Sequence, residues 1–184
     1  MEALDALLNR VSVPRLTEPA PNAAQREGLF QAALRAPDHG QLRPWRFITV
    51  EGEGRNRLGE LFAEAVAQKG DAEQAALDKA RAMPLRAPLL VLVIARTREH
   101  PKVPVSEQVL AAGCAAHGIL LAAHAQGIGA VWRTGELAYS AHVAKGLGLE
   151  AGEELIGFLY LGTPIGEPRT APVLKTEDFV SAWG

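Results

Sequence analysis

Pro88-Leu89-Leu90-Val91-Leu92-Val93-Ile94-Ala95 is an unbroken apolar run rich in β-branched residues. A half-exposed strand alternates between apolar and polar positions, so a run without a polar position reads as a central strand buried on both faces. Such a strand needs neighbours in a sheet and cover above and below. Upstream, residues 71–81 form a polar helix with only alanines and Leu77 apolar, a surface segment and candidate lid. Before it, residues 55–69 place Leu58, Leu61, Phe62 and Val66 on one helical face, after a turn at Glu51-Gly52-Glu53-Gly54. Phe47, Ile48 and Val50 read as the first strand.

Downstream, residues 97–104 are a polar loop. Residues 105–126 then form a helix of Ala, Gly and larger apolar residues, apolar almost all round. That pattern demands burial on all sides, and the small residues allow close approach of a second helix, in the core and at a dimer contact. Gly127-Ile128-Gly129-Ala130-Val131-Trp132 is a short strand leading into the polar turn Arg133-Thr134-Gly135. Ser140 starts a helix through Leu147, and residues 154–161 are the last core strand, closed by Gly162-Thr163-Pro164. Residues 165–184 carry Val173, Leu174, Phe179, Val180 and Trp183 without a clear period, and need a surface to cover, in their own domain or on another subunit. At the other end, Leu4, Leu7 and Leu8 mark a short amphipathic helix. Asn22, with Gln25 three residues on, is a capping box for a helix that runs to Arg35 with Leu29, Phe30, Ala33 and Leu34 inward.

The 184 residues suit one domain, 1–184, with a sizeable core. The net charge of -2 leaves no overall basic field for nucleic acid or an anionic membrane. A single cysteine, Cys114, precludes an intrachain disulfide and fits a reducing compartment. The acidic first residues lack a signal peptide's basic start, and the apolar stretch over 109–135 is too interrupted to span a bilayer comfortably. A cytoplasmic protein is expected.

Chemistry concentrates in three cationic turns, each where an apolar element ends. Arg10-Val11-Ser12-Val13-Pro14-Arg15 offers guanidinium forks and a hydroxyl suited to a phosphate; the alternative is a helix C-terminus dressed with arginine to complement its dipole. Arg35-Ala36-Pro37-Asp38-His39-Gly40-Gln41-Leu42-Arg43-Pro44-Trp45 is a rigid connector: Pro37 stops the helix, and Pro44 pushes Arg43 into an extended conformation. Arg133-Thr134 is the third. One such turn is decoration, whereas three in one small domain point to an anionic ligand with a polar edge. Gly146-x-Gly148-x-x-Ala151 fits a dinucleotide fingerprint by letter but follows a helix and precedes a strand, the wrong context. Cys114, His117 and His124 converge too poorly for a metal site, and core packing or interface hydrogen bonds explain them better. No nucleophile–base motif is present.

Taken in order, Arg10-x-Ser12 after a short helix, Ala36-Pro37-x-x-x-Gln41-x-Arg43-Pro44-Trp45 before a strand, Gly127-Ile128-Gly129-Ala130-Val131-Trp132 and Leu155-Ile156-Gly157-Phe158-Leu159-Tyr160-Leu161-Gly162-Thr163-Pro164 resemble the landmarks of the nitroreductase family of flavin enzymes. Ala36-Pro37-Asp38-His39 and the short length are most similar to its small YdjA-like subgroup. The resemblance implies an α+β fold with a central mixed β-sheet flanked by helices, and a homodimer in which the C-terminal tail reaches onto the partner. It implies FMN at the subunit interface, NADH or NADPH as electron donor, and a nitroaromatic, quinone or similar acceptor reduced by a ping-pong mechanism. By position, Arg10, Val11 and Ser12 would hold the FMN phosphate, Arg35 and His39 would come from the other subunit's loop, Gln41 would also bind the cofactor, and Trp132, Arg133 and Thr134 would close the site. Ala122, Ala123, His124, Ala125, Gln126 and Gly127 correspond to a nicotinamide-binding segment. No metal is implied. A non-catalytic flavin-binding module, or a different flavin reaction on the same scaffold, stays open as an alternative, as does a small metal-dependent hydrolase.

Overall fold

Seven of the eight residues of the strand Leu89–Arg96 are buried, and the rest of the chain is arranged around it. The structure is a computed structural model that describes residues 1–68, 70–167 and 169–184. Residue 69, the expected end of the helix over 55–69, and residue 168, in the tail, lie outside the described residues. In chain order the elements are α1 (Ala3–Asn9), β1 (Leu16–Thr17), α2 (Ala23–Ala33), β2 (Trp45–Glu51), α3 (Glu53–Ala67), α4 (Gln74–Ala82), β3 (Leu89–Arg96), α5 (Val105–Ala125), β4 (Gly129–Arg133), α6 (Ala141–Gly146) and β5 (Glu153–Pro164), with short 3₁₀ turns between some of them.

The fold is α+β, with helices on both faces of one sheet. The strand order is β2-β3-β5, and the far edge of β5 carries β4 and then β1. Each pairing is antiparallel, with Val91 opposite Leu159, Phe47 opposite Val93, Trp132 opposite Leu159 and Leu16 opposite Pro164. Because β3 and β4 both run against β5, they run in the same direction; β5 inserts between them, so the two parallel strands joined by α5 never touch.

Alternation along β3 divides the core. Leu89, Val91 and Val93 join Leu29, Ala112, Ile119 and Leu159 under α2 and α5. Leu90, Leu92 and Ile94 join Leu58, Phe62, Val143 and Tyr160 under α3 and α6, with the Phe62 and Phe158 rings edge to face at 5.2 Å. Asn22 and Gln25 exchange the reciprocal bonds of the capping box at 2.9 Å each, an arrangement of about 1 kcal/mol. Gln108, 1% exposed, fastens the 97–104 loop to α5: its Oε1 accepts from Arg98 N (3.0 Å), and its Nε2 donates to Arg98 O (2.8 Å) and Val103 O (3.2 Å). At the start of β5 the nearly buried Glu153 carboxylate accepts from Arg46 Nε (2.7 Å) and Nη2 (2.6 Å), with Arg96 Nε at 3.2 Å and Glu150 N at 3.1 Å. These partners, Arg46 first, hold its carboxyl at about 2 against the opposing pull of desolvation.

Several elements differ from the sequence expectation. The first strand is β1, too short to show a period, and its pairing with Thr163 and Pro164 carries β5 past Leu161. The helix α2 stops at Ala33, and Leu34 is half exposed rather than inward. The candidate lid, α4, lies against α3 with Ala80 buried and Arg81 bonded to Glu60 at 3.0 Å. Most importantly, α5 is not buried on all sides. Its inner face is core, whereas Leu110, Cys114 and His117 face outward. At 21 residues and a mean hydropathy of 1.4 it has the length and composition of a membrane span, although the interruptions in the sequence argued otherwise; core helices share both properties. The helix α1 buries no residue, and Val173, Phe179 and Trp183 of the tail are fully or largely exposed.

Candidate functional site

Val13 N donates to Ala130 O at 2.9 Å, so the turn that follows α1 lies along the outer edge of β4. Arg10 and Val11 are half-buried there and Ser12 is exposed. Neither Arg10, Arg35 nor Arg133 has a carboxylate partner among the described residues. Along β4 successive side chains alternate. Trp132 packs toward the α2 and α5 side, its Nε1 donating to Ile156 O at 3.3 Å. Gly157 allows this, since a Cβ there would collide with the indole. Arg133 points the other way, its guanidinium 5.7 Å from the centre of the Tyr160 ring. The two residues assigned together by resemblance thus present their side chains to opposite faces.

On the Arg133 side a hollow of about 360 Å³ is lined by residues that include Phe62, Met83, Arg86, Thr134, Phe158 and Tyr160, with Trp132 and Arg133 at β4. Among the described residues, Arg133 Nε has no hydrogen-bond partner, although it is buried there. Burial pushes the Tyr160 phenol up from its ordinary value, while the nearby Arg133 and Arg86 charges act in the opposite direction. Arg86 and Tyr160 were not singled out by sequence. Strand alternation would have placed Tyr160 on the Arg133 face; Arg86, between a helix end and Pro88, carries no local signal.

The connector between α2 and β2 is bent where the sequence suggested an extended segment. Arg43 has φ +50°, Gln41 +51° and Gly40 +75°, all left-handed. Pro44 disfavours the right-handed helix at Arg43, and the Asp38 carboxylate accepts from Leu42 N (3.2 Å) and Arg43 N (2.6 Å). His39 Nδ1 lies 2.7 Å from Glu107 Oε2 in the first turn of α5, leaving Nε2 outward. Arg35, Asp38, Gln41 and Arg43 share a second hollow of about 300 Å³ with Leu34, Ala36 and Trp45.

The candidate residues therefore form two groups. One lies at the β4 edge; the other leads into β2, with β3 and β5 intervening, so the two edges are separated by roughly 14 Å across the strands alone. Ala122, Ala123, His124, Ala125, Gln126 and Gly127 form the C-terminus of α5. Gly127 N donates to His124 O (3.0 Å), Ile128 N to Ala123 O (2.8 Å), and Gln126 Nε2 to Ala122 O (3.2 Å) and Gln25 O (3.4 Å). Gly127, at φ +72°, ends the helix in the left-handed conformation. This segment caps α5 and touches α2; it lines neither hollow, and its last three residues, Ala125, Gln126 and Gly127, are exposed. Among the described residues no cluster of His, Cys, Asp and Glu could hold a metal ion.

The sequence model of the nitroreductase family matches residues 7–163. The Escherichia coli (strain K12) protein named "Putative NAD(P)H nitroreductase YdjA" is 44% identical over 164 residues, 89% of either chain. A nitroreductase-like family protein from Bacillus cereus superposes with a TM-score of 0.83 at 24% identity, covering 100% of this chain and 97% of that one. A variant of NfnB, an FMN and NADPH-dependent nitroreductase from sphigopyxis sp. strain HMH, superposes with a TM-score of 0.79 at 19% identity, covering 100% of both. The layout of strands and the ordered motifs have one account: the chain belongs to the nitroreductase family of oxidoreductases.

Proposed function

We propose that this protein is an FMN-dependent NAD(P)H oxidoreductase that works as a homodimer, each chain a single domain over 1–184. Bound FMN would supply hydride chemistry between NADH or NADPH and a small acceptor, a nitroaromatic, quinone or similar molecule, in a ping-pong sequence. The observation that carries this reading is the buried Arg133 Nε, without a partner among the described residues, beside a hollow walled by Phe62, Phe158 and Tyr160. A buried donor left unpaired is costly. A flat heteroaromatic ring with carbonyl oxygens and ring nitrogens at its edge would satisfy the donor and fit the aromatic walls. The FMN dependence of the NfnB relative supports the same ligand.

Arg10 would hold the phosphate by paired charge-assisted bonds, Ser12 would add a hydroxyl donor and Val11 a backbone contact. Arg133 and Thr134 would meet the ring edge, with Trp132 closing the β4 side. Arg10 and Arg133 at this edge would stabilise negative charge on the bound group. Arg35, His39 and Gln41 would come from the second copy, because one chain carries them at the far edge of its own sheet. A second copy would also cover α1, the outer face of α5 and the apolar tail, which reaches onto it. Neither nucleic acid nor a membrane is part of this reading, and one cysteine suits the reducing cytoplasm.

The test is the visible spectrum of the purified protein before and after anaerobic NADH and NADPH. Flavin bands, released on denaturation and bleached by one or both nucleotides, are expected. A colourless protein that takes up no added FMN refutes the cofactor; a yellow protein that neither nucleotide bleaches refutes the reaction.

A further inference from the structure

The connector between α2 and β2 holds two non-glycine residues, Gln41 and Arg43, in the left-handed region. That conformation is disfavoured roughly tenfold or more for each ordinary residue. Such strain persists only where the surroundings impose it. One side chain does so here. Asp38 Oδ1 accepts from Leu42 N at 3.2 Å and Oδ2 from Arg43 N at 2.6 Å, while the backbone carbonyl of Asp38 accepts from Gln41 N at 3.2 Å. Neighbouring N–H groups that converge in a turn of this kind make a concavity for an anion, and the protein fills it with its own carboxylate. Although Arg35 and Arg43 line the same hollow, neither forms an ion pair with Asp38 among the described residues, so the carboxylate acts through the backbone.

We propose that Asp38 is a positioning residue: its carboxylate clamps the 40–43 turn and so sets where Gln41 stands. This rests on the reading above that Gln41 and His39 serve the flavin. His39 is restrained separately by Glu107 at 2.7 Å, so loss of the clamp falls on Gln41 and on the hollow it shares with Arg35. Without the carboxylate, Arg43 is free to take the extended conformation that Pro44 favours, and the turn opens.

The experiment is a double-mutant cycle of Asp38→Ala and Arg43→Gly, with Asp38→Asn as the conservative variant. FMN affinity of the apo-proteins and their thermal midpoints are measured in parallel. Asp38→Ala is expected to weaken FMN binding roughly tenfold or more, with Asp38→Asn in between. Glycine adopts the left-handed conformation without a Cβ penalty, so in the Arg43→Gly background the loss caused by Asp38→Ala should shrink to a few-fold. Asp38→Ala that binds FMN as the wild type does, or equal losses in the two backgrounds, overturns the proposal. Should the wild type itself take up no FMN, the flavin reading falls and the clamp is judged on the apo-protein. Asp38→Ala must then lower the thermal midpoint and Arg43→Gly must relieve that drop; equal drops in both backgrounds overturn it.

Discussion

Glu153→Gln tests the electrostatic anchor where β2, β3 and β5 meet. The wild-type carboxylate is 5% exposed and takes both prongs of Arg46, with Arg96 alongside. Its carboxyl sits at about 2 instead of the ordinary 4.5. The folded value lies below the unfolded one, so the stabilisation is fully present above about pH 5 and is lost as pH falls toward 2. A shift of this size is equivalent to about 3 kcal/mol at neutral pH. Arg46 and Arg96 are 29% and 58% exposed, and water screens part of the attraction, leaving about 2 kcal/mol. The assay is urea unfolding of wild type and variant from pH 7 to pH 3. The variant should be about 2 kcal/mol less stable at pH 7, and the gap should fall to less than half by about pH 3. A gap that stays constant over that range, or none at pH 7, would refute the reasoning, because the cause would then not be a carboxylate held charged by its neighbours.

Gln108→Ala should destabilise the fold by about 3 kcal/mol in the same unfolding assay, because it strips partners from Arg98 N, Arg98 O and Val103 O. Gly157→Ala should cost about 1–3 kcal/mol by driving a methyl into the Trp132 indole, and should alter the near-ultraviolet circular dichroism of that tryptophan. Arg10→Ala should weaken FMN binding by about 1.5–3 kcal/mol in titrations of the apo-protein. Mixed dimers of one Arg10→Ala chain and one Arg35→Ala chain should bind about half the wild-type FMN; two equally weakened sites would place Arg10 and Arg35 of one chain on the same flavin.

What could be read directly was whatever leaves a local period or cap. The uninterrupted apolar run gave β3 within a residue or two, Asn22 with Gln25 gave the start of α2, and Ser140 gave the start of α6. What escaped depends on contacts distant in sequence or on a second copy of the chain. Two residues cannot show a period, so β1 exists only because β5 offers it an edge. The left-handed Arg43 is bonded to a carboxylate five residues away, although an aspartate just after Pro37 and two before Gly40 is the kind of residue that bonds its own backbone ahead. The opposite facing of Trp132 and Arg133 follows from strand alternation and was available to the sequence. Which face of α5 meets its own sheet was not, since apolar composition does not say whose surface covers it.

The insertion of β5 between β3 and β4 also orders events in time. Until residues 153–164 emerge from the ribosome, β3 lacks its inner neighbour, and β4 and β1 have no strand to pair with. Leu16 must find Pro164 across nearly the whole length of the chain. Contacts so distant in sequence slow folding, because the closing of the loop precedes any reward from pairing. The nascent chain therefore completes its sheet last, around the strand that lies at its centre, with an apolar helix and an open sheet edge exposed in the interval.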